Sequence, residues 1–375
     1  MKQSRWLSRA TKGLEELAAS SFKKMCLIHQ PPYRALYSGG AGIAYAFWKA
    51  ACILEEPEWL HQARFWIDHA ASAPEDERIM KHPQDPNQVV EINMKDSIFF
   101  GNPGVAFVRT LIAHTEDDPR AFEKALKEFT SPESENLEVE ELLQGIPGRL
   151  VGCALLFRET HEEKLKQYGD SLAEYLIGKA SVSQGKIPWQ DNHKLGLAHG
   201  RAGNYYALLL WSKESGYSLP DWILPGLKEY ARSGRKKTVG ISWPVDERDE
   251  KTYMNTWCNG APGLILLWTL TYDLFKEPLF LQAAQESAEY SVKDGTLIGD
   301  LCCGAAGIAY ALLSLNRIDP DGPWLNHANH YIDLATRRPV DIYFPLSLYK
   351  GLAGIVCLSL DMANPKEAVH PAVQG

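Results

Sequence analysis

Apolar residues recur along the chain in seven short runs, each entered through a pair of glycines three apart. The pairs begin at Gly39, Gly101, Gly145, Gly200, Gly260, Gly304 and Gly351. Ordinary glycine usage gives about two such pairs in a chain this long, so seven are a signal. Their intervals are 62, 44, 55, 60, 44 and 47 residues, irregular but near fifty, which marks a repeat architecture. The run after each pair is apolar nearly all round, as in Gly42-Ile-Ala-Tyr-Ala-Phe-Trp48 and Gly263-Leu-Ile-Leu-Leu-Trp268. Such a helix must be covered on most faces.

Segments of another kind lie between the runs. Glu58 to Ile67, Pro119 to Phe129, Glu162 to Ile177, Pro220 to Ala231, Glu277 to Tyr290 and Pro323 to Thr336 are apolar on one face only. Several open on a proline, which the first turn tolerates because its missing N–H would have no helical partner. The N-terminal stretch, about residues 6–25, reads as another half-buried helix. Each repeat therefore pairs a buried inner helix with a half-buried outer one. A closed ring covers the inner seven better than an open solenoid does. The predicted fold is all-α: an α/α toroid of seven helical hairpins, forming one domain over residues 1–375. Segments 73–97 and 232–256 read as long loops, with a short strand expected near Thr238 to Trp243.

Composition narrows the function. The formal charge is −8 and the pI about 5.8. No Lys/Arg cluster suits a nucleic-acid footprint. No run reaches the roughly 18 apolar residues of a membrane span, and the N-terminus is charged and amphipathic, unlike a signal peptide. Cysteines stand at 26, 52, 153, 258, 302, 303 and 357, an odd number at irregular spacing. That pattern suggests a reduced, cytoplasmic protein. Cys52, Cys153 and Cys357 fall in or beside apolar helical runs and read as small buried hydrophobes; Cys26 is left unassigned.

The remaining three cysteines carry the chemistry. Trp257-Cys258-Asn259-Gly260 and Leu301-Cys302-Cys303-Gly304 repeat one design. In a ring of parallel inner helices, all seven N-termini gather at one end. Their first-turn N–H groups and dipoles favour anions there, thiolates included. Three soft ligands favour Zn²⁺ and leave a fourth position open. His199, directly before Gly200, and Glu141, four before Gly145, put further reactive groups at the same end, and His199 is the nearby candidate should a structural zinc need a fourth protein ligand. Gly196, Gly200 and Gly203 leave room beside His199. Arg201, Trp257 and Asp300 are candidate supporting residues.

With these motifs the chain resembles the lanthionine synthetase C family, from about Tyr37 onward. The resemblance implies the seven-fold toroid with a central zinc. It implies Cys258 and Cys302 as metal ligands, with Cys303 where most members have histidine. It implies His199 as the acid/base of the Ala-His-Gly motif, with Glu141 where bacterial cyclases have aspartate. Asn259 stands where others have tyrosine or histidine. The activity implied is a zinc-assisted Michael addition of a thiol to dehydroalanine or dehydrobutyrine, giving a thioether. The thiol belongs to a dehydrated precursor peptide, supplied by a separate dehydratase, or to glutathione, as in the eukaryotic branch. A non-catalytic toroid scaffold is the rival reading. A glycosidase would need paired carboxylates, and only Glu141 is well placed.

Overall fold

The computed structural model describes residues 2–29, 32–73, 79–82, 85–91, 96–131, 140–180, 188–189 and 192–374. In chain order the elements are α1 (Lys2–Ala18), α2 (Phe22–Ile28), α3 (Gly40–Leu54), α4 (Pro57–Ser72), β1 (Ile79–His82), β2 (Asp85–Glu91), α5 (Asn102–Thr115), α6 (Pro119–Thr130), α7 (Ile146–Thr160), α8 (Glu163–Lys179), α9 (Arg201–Ser215) and α10 (Ile223–Arg232). There follow β3 (Arg235–Lys236), β4 (Ile241–Ser242), α11 (Ala261–Phe275), α12 (Pro278–Asp294), α13 (Ala305–Ile318), α14 (Trp324–Ala335) and α15 (Leu352–Asp361). The strands form two small antiparallel pairs, β1 with β2 and β3 with β4, inside the two segments expected to be long loops.

Every glycine pair starts an inner helix. The first glycine of each is the N-cap of α3, α5, α7, α9, α11, α13 or α15, in extended conformation. The inner helices are buried over most of their length, without a break from Ile146 to Leu156 and from Ala305 to Asn316. The first-turn N–H groups differ from expectation. The turn before α3, α9, α13 and α15 folds back, so its carbonyls accept from them: Gly40 N to Tyr33 O at 2.7 Å, Arg201 N to Lys194 O at 3.1 Å, Ala305 N to Ile298 O at 2.9 Å, Leu352 N to Pro345 O at 2.8 Å. At those four helix starts, N–H groups that would otherwise be offered to an anion are satisfied locally.

The chain forms two compact units. One holds residues up to Leu137 with Pro339–Asn364; there α3 packs on α4, α5 on α6, and α15 on α1. α1 is therefore the outer partner of the seventh inner helix. The expected single helix over 6–25 is instead two helices. Ser21 ends the first path by capping the second, accepting from Lys24 N at 3.1 Å. Tyr349 N donates to Tyr37 O at 3.1 Å and Tyr37 N to Phe99 O at 2.8 Å, linking the turns of repeats seven, one and two. Lys49 and Asp361 form a buried ion pair at 2.8 Å. Cys357 is buried, but Cys52 is exposed, contrary to expectation. It lies in the last turn of α3, beside exposed Ile53, beyond the stretch that packing covers.

The second unit holds Glu138–Arg338 and Pro365–Gly375. Its hairpins are α7 with α8, α11 with α12 and α13 with α14, and α7, α9, α11 and α13 pack in sequence. The same turn-to-turn ladder recurs: Leu143 N to Ala198 O at 3.2 Å, Ala198 N to Cys258 O at 2.9 Å. Among the described residues no helix is long and apolar enough to cross a membrane.

Candidate metal centre

The three motif cysteines come together. The sulfurs of Cys258, Cys302 and Cys303 lie within 4.8 Å of one another. Cys302 and Cys303 sulfurs are 3.6 Å apart. Cys258 and Cys302 are buried and Cys303 is half-buried. Among the described residues this is the one group of three or more His, Cys, Asp or Glu donors that converges in this way.

Local hydrogen bonds hold the Cys258 sulfur and the backbone of Cys303. Thr256 Oγ1 is 3.4 Å from Cys258 Sγ and also accepts from Asn259 N at 3.3 Å. Asn259 Nδ2 donates to Cys258 Sγ at 3.8 Å. Asp300 Oδ1 accepts from Cys303 N at 2.7 Å, and Asp300 is only 1% exposed. Asp300 thus supports the turn, as its place in the sequence suggested. Thr256 escaped that reading, because a hydroxyl two residues before a cysteine carries no distinctive pattern.

Two glycines set how closely the cysteine turns approach their neighbours. A Cβ on Gly307 would sit 3.2 Å from Trp257 Cβ and 3.3 Å from the Leu301 carbonyl carbon. A Cβ on Gly196 would sit 2.5 Å from Asn259 Cα and 2.6 Å from Cys258 O. Gly196 therefore makes room for the Cys258 turn. The expectation that it clears space beside His199 does not hold, since neighbouring backbone already fills that space.

Crowding and burial hold these thiols in their neutral form. The bond from Cys302 lowers the Cys258 pKa, but the bond with Cys303 and burial outweigh it and push the thiol up to about 12. Cys302 is raised well above the usual thiol value by its contacts with Cys258 and Cys303, then by burial. Three thiolates cannot share one buried pocket without a cation. Zn–S bonds of about 2.3 Å in a tetrahedron separate sulfurs by about 3.8 Å, close to the 3.6 Å between Cys302 and Cys303. The donor set fits a thiophilic divalent ion with one position left for another ligand.

The structure also pairs the other two predicted residues. His199 Nδ1 is 3.1 Å from Glu141 Oε2. Their side chains are 26% and 13% exposed, so the pair is neither sealed nor fully solvated. Asn192 Nδ2 spans their turns, donating to Glu140 O at 3.2 Å and His199 O at 3.5 Å. Nothing in the local sequence marks Asn192 for that task. A proton on Nδ1 shared with the carboxylate leaves Nε2 for other chemistry. His199 follows Ala198, whose N–H bonds the Cys258 carbonyl, so the pair and the sulfurs sit on adjacent turns. Arg201 is buried and donates to Glu247, which also meets His193 Nδ1 at 2.9 Å. Arg201 thus ties down the 244–252 loop.

The comparisons agree with this architecture. The family model described as lanthionine synthetase C-like protein matches residues 33–374. The chain is 22% identical over 362 residues to a zebrafish (Danio rerio) protein named glutathione S-transferase LANCL1, covering 90% of this chain and 84% of that one. It is 30% identical over 190 residues to the Arabidopsis thaliana LanC-like protein GCL1, covering 48% and 43%. Among solved structures, nisin cyclase superposes with a TM-score of 0.69 at 15% identity, covering 98% of this chain and 94% of the other. The fold is thus the α/α toroid of that enzyme, as the hairpin pattern predicted. The matched span takes in all seven glycine turns and the three converging cysteines, and the chain belongs to the lanthionine synthetase C-like protein family.

Proposed function

We propose that this protein is a zinc-dependent thioether-forming enzyme, adding a cysteine thiol across the double bond of dehydroalanine or dehydrobutyrine. The observation that carries the reading is the convergence of three sulfurs on a turn next to the His199–Glu141 pair. Cys258, Cys302 and Cys303 would hold Zn²⁺, with residues 1–375 read as one domain working in the cytoplasm. The metal, when bound, supplies a positive charge that makes a thiol ionise near neutral pH. In the addition one C–S bond and one C–H bond form while the C=C π bond and the S–H bond break, with no net oxidation. Glu141 holds His199 through Nδ1. His199 then delivers the proton to the enolate carbon through Nε2. A precursor peptide processed by a separate dehydratase supplies both partners of a ring.

The zebrafish relative's name, glutathione S-transferase LANCL1, favours glutathione as a second thiol donor; we propose dehydroamino acids in proteins as its acceptors. The test is direct. Purified protein should contain about one zinc per chain, lost in Cys258→Ala and Cys302→Ala. His199→Asn should keep zinc yet slow thioether formation by about 10²–10⁴-fold, measured with a dehydroalanine peptide and either an internal cysteine or glutathione. Zinc retained in both cysteine variants would refute the metal site. No addition with either thiol would leave the scaffold reading.

A further inference from the structure

Residues 365–374 belong to the same compact unit as the cysteine turns. They are deeply covered: His370, Ala372 and Val373 are all at 0% exposure. Side chains of α9 and α13 hold them. Tyr206 donates to Val373 O at 3.0 Å, and Arg317 donates to Ala368 O at 2.6 Å. Gln374 Nε2 donates to Ser314 Oγ at 2.9 Å, while its Oε1 accepts from His370 N at 3.1 Å. The segment thereby presses the His370 ring against two aromatics. It stacks on Trp257, with centroids 5.1 Å apart and planes 18° from parallel, and tilts against Tyr310 at 5.2 Å.

Trp257 stands where the two cysteine turns meet. It directly precedes Cys258, and its Cβ is 3.2 Å from the place a Cβ would take on Gly307, in the first turn of α13, which the Cys302–Cys303 turn leads into. In the other six repeats the same position, three before the first glycine, holds Leu36, Ile98, Leu142, Leu197, Leu301 and Leu348. A leucine fills the gap between two turns. An indole is larger and needs a second surface to keep one orientation. Only the repeat that carries Cys258 has the indole.

We infer that His370 is a positioning residue for the sulfur cluster: by stacking on Trp257 it fixes Cys258 against Cys302 and Cys303. The inference rests on the proposed metal site, but its test has an arm that needs no metal. In metal-free protein, iodoacetamide labelling is followed at each cysteine by mass spectrometry. His370→Ala should raise labelling of buried Cys258 about tenfold, because losing one aromatic stack eases local opening. Cys153, buried in α7 of the same unit, reports global unfolding and should stay unlabelled. His370→Phe, which keeps a flat ring, should restore protection. In the cobalt-loaded protein, His370→Ala should weaken metal affinity by about 10–100-fold and alter the thiolate-to-cobalt absorption, as losses of supporting contacts do. His370→Phe should reverse both changes. Unchanged Cys258 labelling, labelling that rises in step with Cys153, or failure of His370→Phe to rescue would each overturn the assignment. Wild-type protein that takes up no cobalt would refute the metal site, while the labelling arm still decides the role of His370.

Discussion

Gly196→Ala tests whether the cysteine turn is held by backbone contact. The added Cβ would stand 2.5 Å from Asn259 Cα, 2.6 Å from Cys258 O and 2.9 Å from Asn259 Oδ1. Unstrained carbon atoms keep about 3.5–4.0 Å, so one backbone must retreat by about 1 Å. Swinging the Asn259 side chain away does not relieve the clash, because the two nearest atoms are main chain. Overpacking of this kind typically costs about 1–3 kcal/mol. The functional cost should exceed the stability cost. Metal–ligand distances tolerate only about 0.2 Å, and the displaced turn carries Cys258. Zinc affinity, measured by competition with a chromophoric chelator, should fall by about 10–100-fold. Gly178→Ala is the control: nothing lies within 4 Å of that Cβ, and the site is exposed in α8. It should stabilise by about 0.5–1 kcal/mol through helix propensity, with zinc affinity unchanged. Thermal denaturation gives the stability of each variant. Wild-type stability and zinc affinity in Gly196→Ala would refute the reasoning.

Two further predictions follow from single sites. Cys303→Ala should lose zinc as Cys302→Ala does, whereas Cys303→His should keep it, because imidazole is also a good zinc ligand; equal zinc affinity in Cys303→Ala and wild type would make Cys303 a bystander. His29 is buried, its Nδ1 3.0 Å from Ser38 O and its Nε2 accepting from Leu346 N at 3.1 Å, an arrangement that only the neutral ring satisfies. Burial, opposed in part by the Ser38 bond, lowers its pKa from 6.5 to about 4. The unfolded chain therefore binds the extra proton first, and stability present above pH 6.5 is lost as pH falls toward 4. The loss is about 3 kcal/mol. Denaturant titrations of metal-free protein should show this slope in wild type and not in His29→Gln; an identical slope in both would refute the assignment.

The repeat was written in the sequence because its causes are local. A glycine where the preceding turn folds back, followed by a helix apolar all round, can be read seven times without coordinates. The three cysteines, His199 and Glu141 stood out for the same reason, since each lies one to four residues before a glycine that starts an inner helix. Other features depend on which turns become neighbours, and no local pattern encodes that. Only the tertiary structure showed that α1 pairs with α15, that loop carbonyls accept from the first N–H of α3, α9, α13 and α15, and that Gly196 yields its space to Asn259. Cys52 read as buried because hydropathy counts the residue itself, whereas burial depends on whether another element reaches it. The roles of Asn192 and His370 were silent for a related reason: each acts on a turn far away in sequence, and its partner is chosen by packing.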